Sequence, residues 1–338
     1  MKLLSICVPT YNRYSELKKL FESFIDPVLS KHREDIEFII SDNSDKEVAE
    51  LDEKLFNNTC VIYSKNVANI GFAGNVLKCY DKAVGKFIWI ISDNDQIILD
   101  EFLLLFQNLK KNQDNIDAVF IPYRVVDLFQ KETIVAYPKI DCLDDLYKKN
   151  IIPFILISSA IVKKNMRYYD TILAKLADND FVQIALHSLA LKDCTQFSTY
   201  KHPVIEYTIE YVGRFNPIKI FNSMHQTMMY LSHYFTIDVN FSDGNECKSM
   251  LHSIFMHEIN LLVVKDLENV KSKIVDICKG YKYKDIKMKL LIYLLKLPKS
   301  FRFTLYVCYL IFSCEPKFAS LSEYYSRYSI IKSKIKRN

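Results

Sequence analysis

With 338 residues, half of them hydrophobic, the chain can bury a sizeable core and reads as a globular protein of two domains, or of one large domain with an appendage. Its formal charge of +5 is uneven: Lys271 to Asn338 carries 16 Lys/Arg against 4 Asp/Glu, a net of +12 that leaves −7 on residues 1–270, so the basic tail points to an anionic surface as partner. The nine cysteines include no C-x-x-C pair, which argues against a zinc ribbon or a thioredoxin-like site and reads as reduced core thiols.

The apolar run in Met1 to Thr10 is too short for an export signal, which places the chain in the cytoplasm. Leu3 to Val8 predicts a strand and Ser15 to Leu29 a helix, with Leu17, Leu20, Phe21 and Phe24 at helical spacing and Ser15 as its expected N-cap. Between them lies the loop PTYNRYS, at the carboxyl end of a strand, where α/β sheets bind ligands. Glu37 to Ile40 predicts a second strand that ends in the acidic turn Ser41 to Asp45. A helix over Glu47 to Phe56 and a strand over Val61 to Ser64 complete a β-α-β-α-β pattern, and hence a parallel sheet.

NVANIGFAGN, Asn66 to Asn75, leads into a helix through Tyr80 and Ala83. Three of the chain's six glycines, Gly71, Gly74 and Gly85, fall in this interval, so the backbone there needs freedom or close approach. Such a loop can meet a phosphate, or it can simply be a packed helix start. Phe87 to Ile91 then reads as a strand buried on both faces that runs straight into Ser92, Asp93, Asn94 and Asp95. Residues i and i+2 of a turn can aim into one space, and two hard carboxylate ligands suit Mg²⁺ or Mn²⁺ holding a diphosphate. A solvated acidic turn is the plainer reading.

The second half predicts a helix over Asp100 to Asn112, a strand over Ala118 to Pro122 and a polar hairpin-like stretch to Pro138. A helix over Leu143 to Lys149 and a buried strand over Phe154 to Val162 follow. Asp178, Asn179 and Asp180 open an apolar helix through Phe181, Ile184, Ala185 and Leu189, where they could serve chemistry or merely cap the helix. His202 is a candidate third metal ligand, though a lone histidine is more often a surface or core residue, and Arg214, in Tyr211 to Phe215, is a better candidate as a phosphate clamp or else a surface arginine. Residues 216–338 read as helical. Their apolar runs Lys287 to Leu297 and Phe303 to Cys314 are too short to span a bilayer, and either lie on an anionic membrane surface or form a helical core.

Strand-PTYNR, strand-SDNSD, NIGFAGN and strand-SDND, in this order within the first hundred residues, resemble the nucleotide-sugar half of family 2 glycosyltransferases. The resemblance implies an α/β GT-A fold, Rossmann-like with a mostly parallel central sheet, over residues 1–215, with a C-terminal helical appendage over 216–338. Residues 1–100 would be the nucleotide-sugar half and 101–215 the acceptor half. Nucleoside contacts fall on Pro9, Thr10, Tyr11 and Arg13, and acceptance from a pyrimidine N3–H falls on Asp42. Asn69, Gly71 and Asn75 would line the pocket, with Asp93 and Asn94 beside the donor. The resemblance puts Mn²⁺ or Mg²⁺ on Asp95 and Asp93, and the catalytic base at Asp180 with Asp178 in reserve, Asn179 standing where the family often has Glu.

The implied activity is metal-dependent inverting transfer from a UDP-linked sugar to a surface-glycan acceptor, free or lipid-linked, such as capsule, lipopolysaccharide or teichoic acid. Peripheral contact with the inner face of the membrane would suit it. The alternatives are a non-catalytic nucleotide-sugar-binding module and a sugar nucleotidyltransferase. The latter lacks its glycine-rich loop here, and no nucleic-acid motif accompanies the basic tail.

Overall fold

The computed structural model describes residues 2–45, 58–126, 132–148, 152–208 and 217–237. The chain divides into two compact units, Met1–Glu210 with Ser223–Val239 and Tyr211–Asn222 with Asn240–Asn338; both sheets belong to the first. The expected helix over Glu47 to Phe56 and the apolar runs and tail beyond 237 lie outside the described residues.

The first strand, β1 (Leu4–Thr10), pairs in parallel with β2 (Ile36–Asp42) on one side and β4 (Phe87–Ile90) on the other, and β2 pairs in parallel with β3 (Val61–Lys65). The register sets Thr10 beside Asp42, so the loops after β1, β2 and β4 leave from one edge of the sheet. Beyond β4 the sheet changes direction: β9 (Ala160–Lys163) is antiparallel to both β4 and β6 (Ala118–Phe120), and β10 (Phe197–Thr199) closes the row in parallel with β6. The order is β10-β6-β9-β4-β1-β2-β3, a mostly parallel sheet as expected. A smaller four-stranded sheet holds β5 (Gln96–Ile97), β7 (Tyr123–Val126), β8 (Glu132–Val135) and β11 (Ile205–Thr208); its antiparallel β7–β8 pair is the predicted hairpin.

Alternation along the strands decides what covers each face. Leu4, Ile6 and Val8 of β1, Phe38 and Ile40 of β2, and Phe87 and Trp89 of β4 enter one core. They meet Leu17, Phe24 and Val28 of a helical body, and Phe102 and Phe106 of the helix Leu99–Asn112. Trp89 stacks on Phe102 at 5.3 Å with Phe24 edge-on to both. Removing such a ring costs about 3–5 kcal/mol. On the other face Cys7 and Ile39 meet the helix Gly71–Lys82 through Cys79.

Two glycines, Gly71 of the third motif and Gly85 before β4, are required by geometry. Gly71 starts its helix at φ 74°, in the left-handed region, and a Cβ on Gly85 would stand 2.6 Å from the backbone N of Ser5. Gly85 N–H donates to Ser5 Oγ at 2.7 Å, Ser5 Oγ donates to the buried Glu37, and Glu37 also accepts from Val84 N–H at 2.9 Å. The turn into β4 is thereby tied to β1 and β2.

Three local expectations are corrected. Ser15 lies inside its helix, which starts at Tyr14 with Arg13 at the N-cap position, and its hydroxyl donates to Glu16 at 2.6 Å. The helical body continues through a π-helical turn, Phe21–Ile25, to His32. Of the strand expected over Phe154 to Val162, only Ala160 onward is extended: Phe154 has φ 63°, so the run folds into turns before β9 although Phe154 itself is fully buried. The helix expected to open at Asp178 begins at Val182, and Asp178 to Asp180 form the turn after the helix Tyr169–Leu176.

Candidate active site

The loops leaving the carboxyl edge converge on Asp93. Thr10, the last residue of β1, donates its hydroxyl to Asp93 Oδ2 at 2.7 Å, and Arg13 places Nη1 2.8 Å from Oδ1. Asn12 makes this possible by taking φ 54°, a conformation Asn tolerates better than most residues. Burial pushes the Asp93 carboxyl above its usual range, and Arg13 and Thr10 pull it back. A buried carboxylate with both oxygens bonded by side chains of another strand's loop is a built feature rather than a solvated turn. Tyr11, Asn69 and Asn94 lie at the surface of the same edge. Tyr11 donates to Asp45 at 2.9 Å, Asn69 accepts from Gly71 N–H at 2.9 Å, and Asn94 accepts from Ser92 Oγ.

Asp95 has different surroundings. Its Oδ2 accepts from Ser92 N–H at 2.9 Å, while Oδ1 is buried with no hydrogen-bond partner. Burial raises this carboxyl to about 6; the Ser158 hydroxyl and the Ser92 N–H oppose the rise, and the charge of Asp93 adds to it. A bare, buried carboxylate oxygen is the donor that a hard divalent cation takes, so Asp95 fits Mg²⁺ or Mn²⁺. Asp93, committed to Thr10 and Arg13, fits the ligand role less well. His202 is exposed, with its ring edge-on to Tyr200 at 6.1 Å. Among the described residues no three His, Cys, Asp or Glu side chains gather to hold an ion, so the expected Asp95–Asp93–His202 set is not assembled. A lone histidine after a strand carried too little information to be placed from sequence.

Asp42 is fully buried and already occupied. Tyr63 donates to Oδ2 at 2.6 Å and Tyr14 at 3.0 Å, while Ser44 offers its N–H to Oδ1 at 2.7 Å and its hydroxyl as well. In this structure both oxygens of the acid expected to accept from a pyrimidine N3–H are bonded from within. Next to it a layer of amides ties the loops together. Asn66 donates to Asn43 at 2.6 Å and to Asn75 at 3.2 Å, Asn75 donates to the Thr10 carbonyl at 3.1 Å, and Asn43 donates to the Gly71 carbonyl at 2.8 Å. Pro9, opposite Ser41 in the register, takes part through the backbone.

In the turn after the helix Tyr169–Leu176, Asp178 is exposed and Asp180 half-buried, while Asn179 between them is buried. Asn179 Nδ2 donates to the Ser223 carbonyl at 2.8 Å. Its Oδ1 accepts from Phe181 N–H at 2.8 Å and Thr227 Oγ1 at 3.0 Å. Ser223 and Thr227 lie on the helix Pro217–Leu231, so one amide fixes the turn that presents both acids. Phe181, at the N-cap position of the helix from Val182, makes no side-chain cap bond, and its N–H goes to Asn179. Arg214 lies outside the described residues.

A family model described as glycosyl transferase family 2 matches residues 5–168. Over these residues the chain is similar to that family. Abequosyltransferase RfbV of Salmonella typhimurium is 32% identical over 115 residues, 33% of this chain and 34% of that protein, so the match spans about a third of the relative's length. The crystal structure of S. aureus TarS 1–349 aligns over 95% of this chain and 93% of that one, with TM-score 0.51 and 14% identity. The same fragment in complex with UDP-GlcNAc gives TM-score 0.52 at 13% identity over the same shares. At such identities the likeness is one of fold, and it agrees with the GT-A architecture.

The family 2 match takes in all four motifs and ends before Asp178. Within it, sequence reading passed over Tyr14, Tyr63, Ser44, Asn43 and Asn66, which hold Asp42 and the loops. It also passed over Ser158. Tyr63 in a short apolar strand and the serine pair inside an apolar run were the available signals, each a polar group where burial demands a partner.

Proposed function

We propose that the chain is an inverting, divalent-metal-assisted glycosyltransferase that takes a sugar from a UDP-linked donor to a bacterial surface-glycan acceptor. The observation that carries this reading is the Thr10–Asp93–Arg13 clamp set beside the bare oxygen of Asp95 at the carboxyl edge of a family 2 domain. Asp93 would hold the donor's ribose while keeping Arg13 oriented, and Asp95 would carry the cation. A cation bound there would supply positive charge where the leaving diphosphate becomes more negative. Asp180 accepts the proton of the attacking hydroxyl as the new bond forms on the face opposite the diphosphate.

The TarS complex with UDP-GlcNAc supports a uridine donor. Uracil would reach Asp42 only after a tyrosine hydroxyl, Tyr63 or Tyr14, turns away. The net charge of +12 over Lys271 to Asn338 suits a lipid-linked acceptor at an anionic surface; among the described residues no helix is long and apolar enough to cross a membrane.

Incubating the full chain with Mn²⁺ and a panel of nucleotide sugars tests the reading. One UDP-sugar should be hydrolysed slowly, and UDP should compete with it. Binding without turnover of any donor, with or without glycan acceptors, would instead favour a non-catalytic binding module, a reading that the end of the family match before Asp180 keeps in play.

A further inference from the structure

The two neighbouring serines before β9 are treated differently by the fold. Ser159 is used inward: its hydroxyl donates to the Leu156 carbonyl at 2.7 Å and meets Tyr137 at 3.2 Å, and its carbonyl accepts from Ile121 N–H at 2.8 Å. Ser158 is held only by its backbone, whose carbonyl accepts from Trp89 Nε1 at 2.7 Å. Its hydroxyl is fully buried and has no hydrogen-bond partner. Leaving a hydroxyl so costs about 1–3 kcal/mol, which an alanine would avoid.

Pairing of β9 with β4 brings Ser158 to the end of β4. β9 runs antiparallel to β4 with Phe87 opposite Lys163, Ile88 opposite Val162 and Trp89 opposite Ile161. Trp89 Nε1 reaches the Ser158 carbonyl from this pair, so Ser158 lies where β4 ends and runs on toward Ser92, whose N–H holds Asp95. The hydroxyl acts on the Asp95 carboxyl, the other side chain at this turn with a bare buried oxygen. Two unpartnered oxygens, carried by opposed strand ends and both shielded from water, make a site that wants a third party.

We propose that Ser158 Oγ and Asp95 Oδ1 form a two-oxygen cradle for the divalent cation, with Ser158 supplying the second protein oxygen. This rests on the glycosyltransferase reading and adds to it a ligand outside the acidic turn. A serine oxygen is a hard, uncharged donor, so it adds to the site without adding charge, and it suits Mg²⁺ or Mn²⁺ as the carboxylate does. With no ion bound the same hydroxyl can turn its proton toward Asp95. Trp89, locked in the core, keeps the serine backbone at a fixed distance from the sheet.

The test measures UDP binding to the full chain by calorimetry in EDTA, Mg²⁺, Mn²⁺ and Cd²⁺. Ser158→Ala should cut the Mn²⁺-dependent gain in UDP affinity by about tenfold or more while leaving the affinity in EDTA unchanged. Ser158→Cys, nearly the same size, should shift the preference from Mg²⁺ toward Cd²⁺, because a thiol is a softer ligand. Ser159→Ala should lower the melting temperature yet keep the gain. An undiminished gain in Ser158→Ala overturns the assignment and leaves the metal reading standing. A wild-type chain whose UDP affinity gains nothing from any of these ions removes both. Should Ser158→Ala not fold, the ion preference of Ser158→Cys decides: one unchanged from wild type counts against the cradle.

Discussion

The proposed donor edge and the proposed acceptor turn of this domain place their buried hydrogen bonds differently. At the donor edge the acids themselves are bonded: Asp42 accepts from two tyrosines and a serine, and Asp93 from a threonine and an arginine. At the proposed acceptor turn the buried group is the amide of Asn179, bonded to Ser223 and Thr227, with Asp178 exposed and Asp180 half-buried on either side. A donor must be gripped in one pose, so its side of the site is preorganised at the level of single oxygens. An acceptor hydroxyl must arrive and leave, so fixing the backbone of the turn suffices. Changes at the donor edge should therefore disturb folding and binding together, and changes at the acceptor turn should separate rate from binding.

The largest effect expected is on rate. Asp180→Asn should lower glycosyl transfer by about 10² or more with UDP-sugar affinity kept, while Asp178→Asn does less. Parental turnover in Asp180→Asn beside a collapsed rate in Asp178→Asn would exchange their roles.

Next is Asp42→Asn, which points an NH₂ group at donors that expect an oxygen. Denaturant titration should show a loss of about 2 kcal/mol, within the range for an unsatisfied buried polar group, together with weaker UDP binding. A variant of wild-type stability would mean that the donor edge is not preorganised as drawn. Tyr63→Phe sharpens the point, since it should lose about 1 kcal/mol and yet bind UDP at least as well, having vacated one side of Asp42. Reduced UDP affinity there would assign the hydroxyl itself to the nucleotide.

Asn179→Ala tests the other side. Losing the bonds to Ser223 and Thr227 should cost about 1–2 kcal/mol and lower transfer while UDP binding stays constant. Equal losses in binding and rate would show that the two sides are coupled.

The smallest effect concerns His187, buried in the helix Val182–Ala190 against Phe154 with neither ring nitrogen bonded. Burial alone lowers its pKa from 6.5 to about 3. The depressed value means that the unfolded chain takes up a proton the folded one refuses, so stability is held above about pH 6.5 and falls as the pH drops toward 3. His187→Leu should match wild type at pH 7.5 and lose less melting temperature on going to pH 5. Identical acid sensitivity would place the titrating groups elsewhere.

The alternation of strand and helix, the acidic turns after β2 and β4, and the glycines before β4 could be read directly, because burial periodicity and backbone freedom are local properties that leave a local trace. The same locality explains the misreadings. Phe154 to Val162 is apolar whether it is extended or turned, and a φ of 63° at Phe154 leaves no mark on composition. Which oxygens are bonded is set by pairings between distant segments. Asp42 and Asp93 look alike in the sequence, yet one is enclosed by Tyr14 and Tyr63 and the other by Thr10 and Arg13, because parallel pairing of β1 with β2 and β4 brings those loops to one edge. That Asp95 keeps a bare oxygen beside Ser158, 63 residues further on, follows from the antiparallel turn of β9 against β4, which no spacing within either motif could reveal.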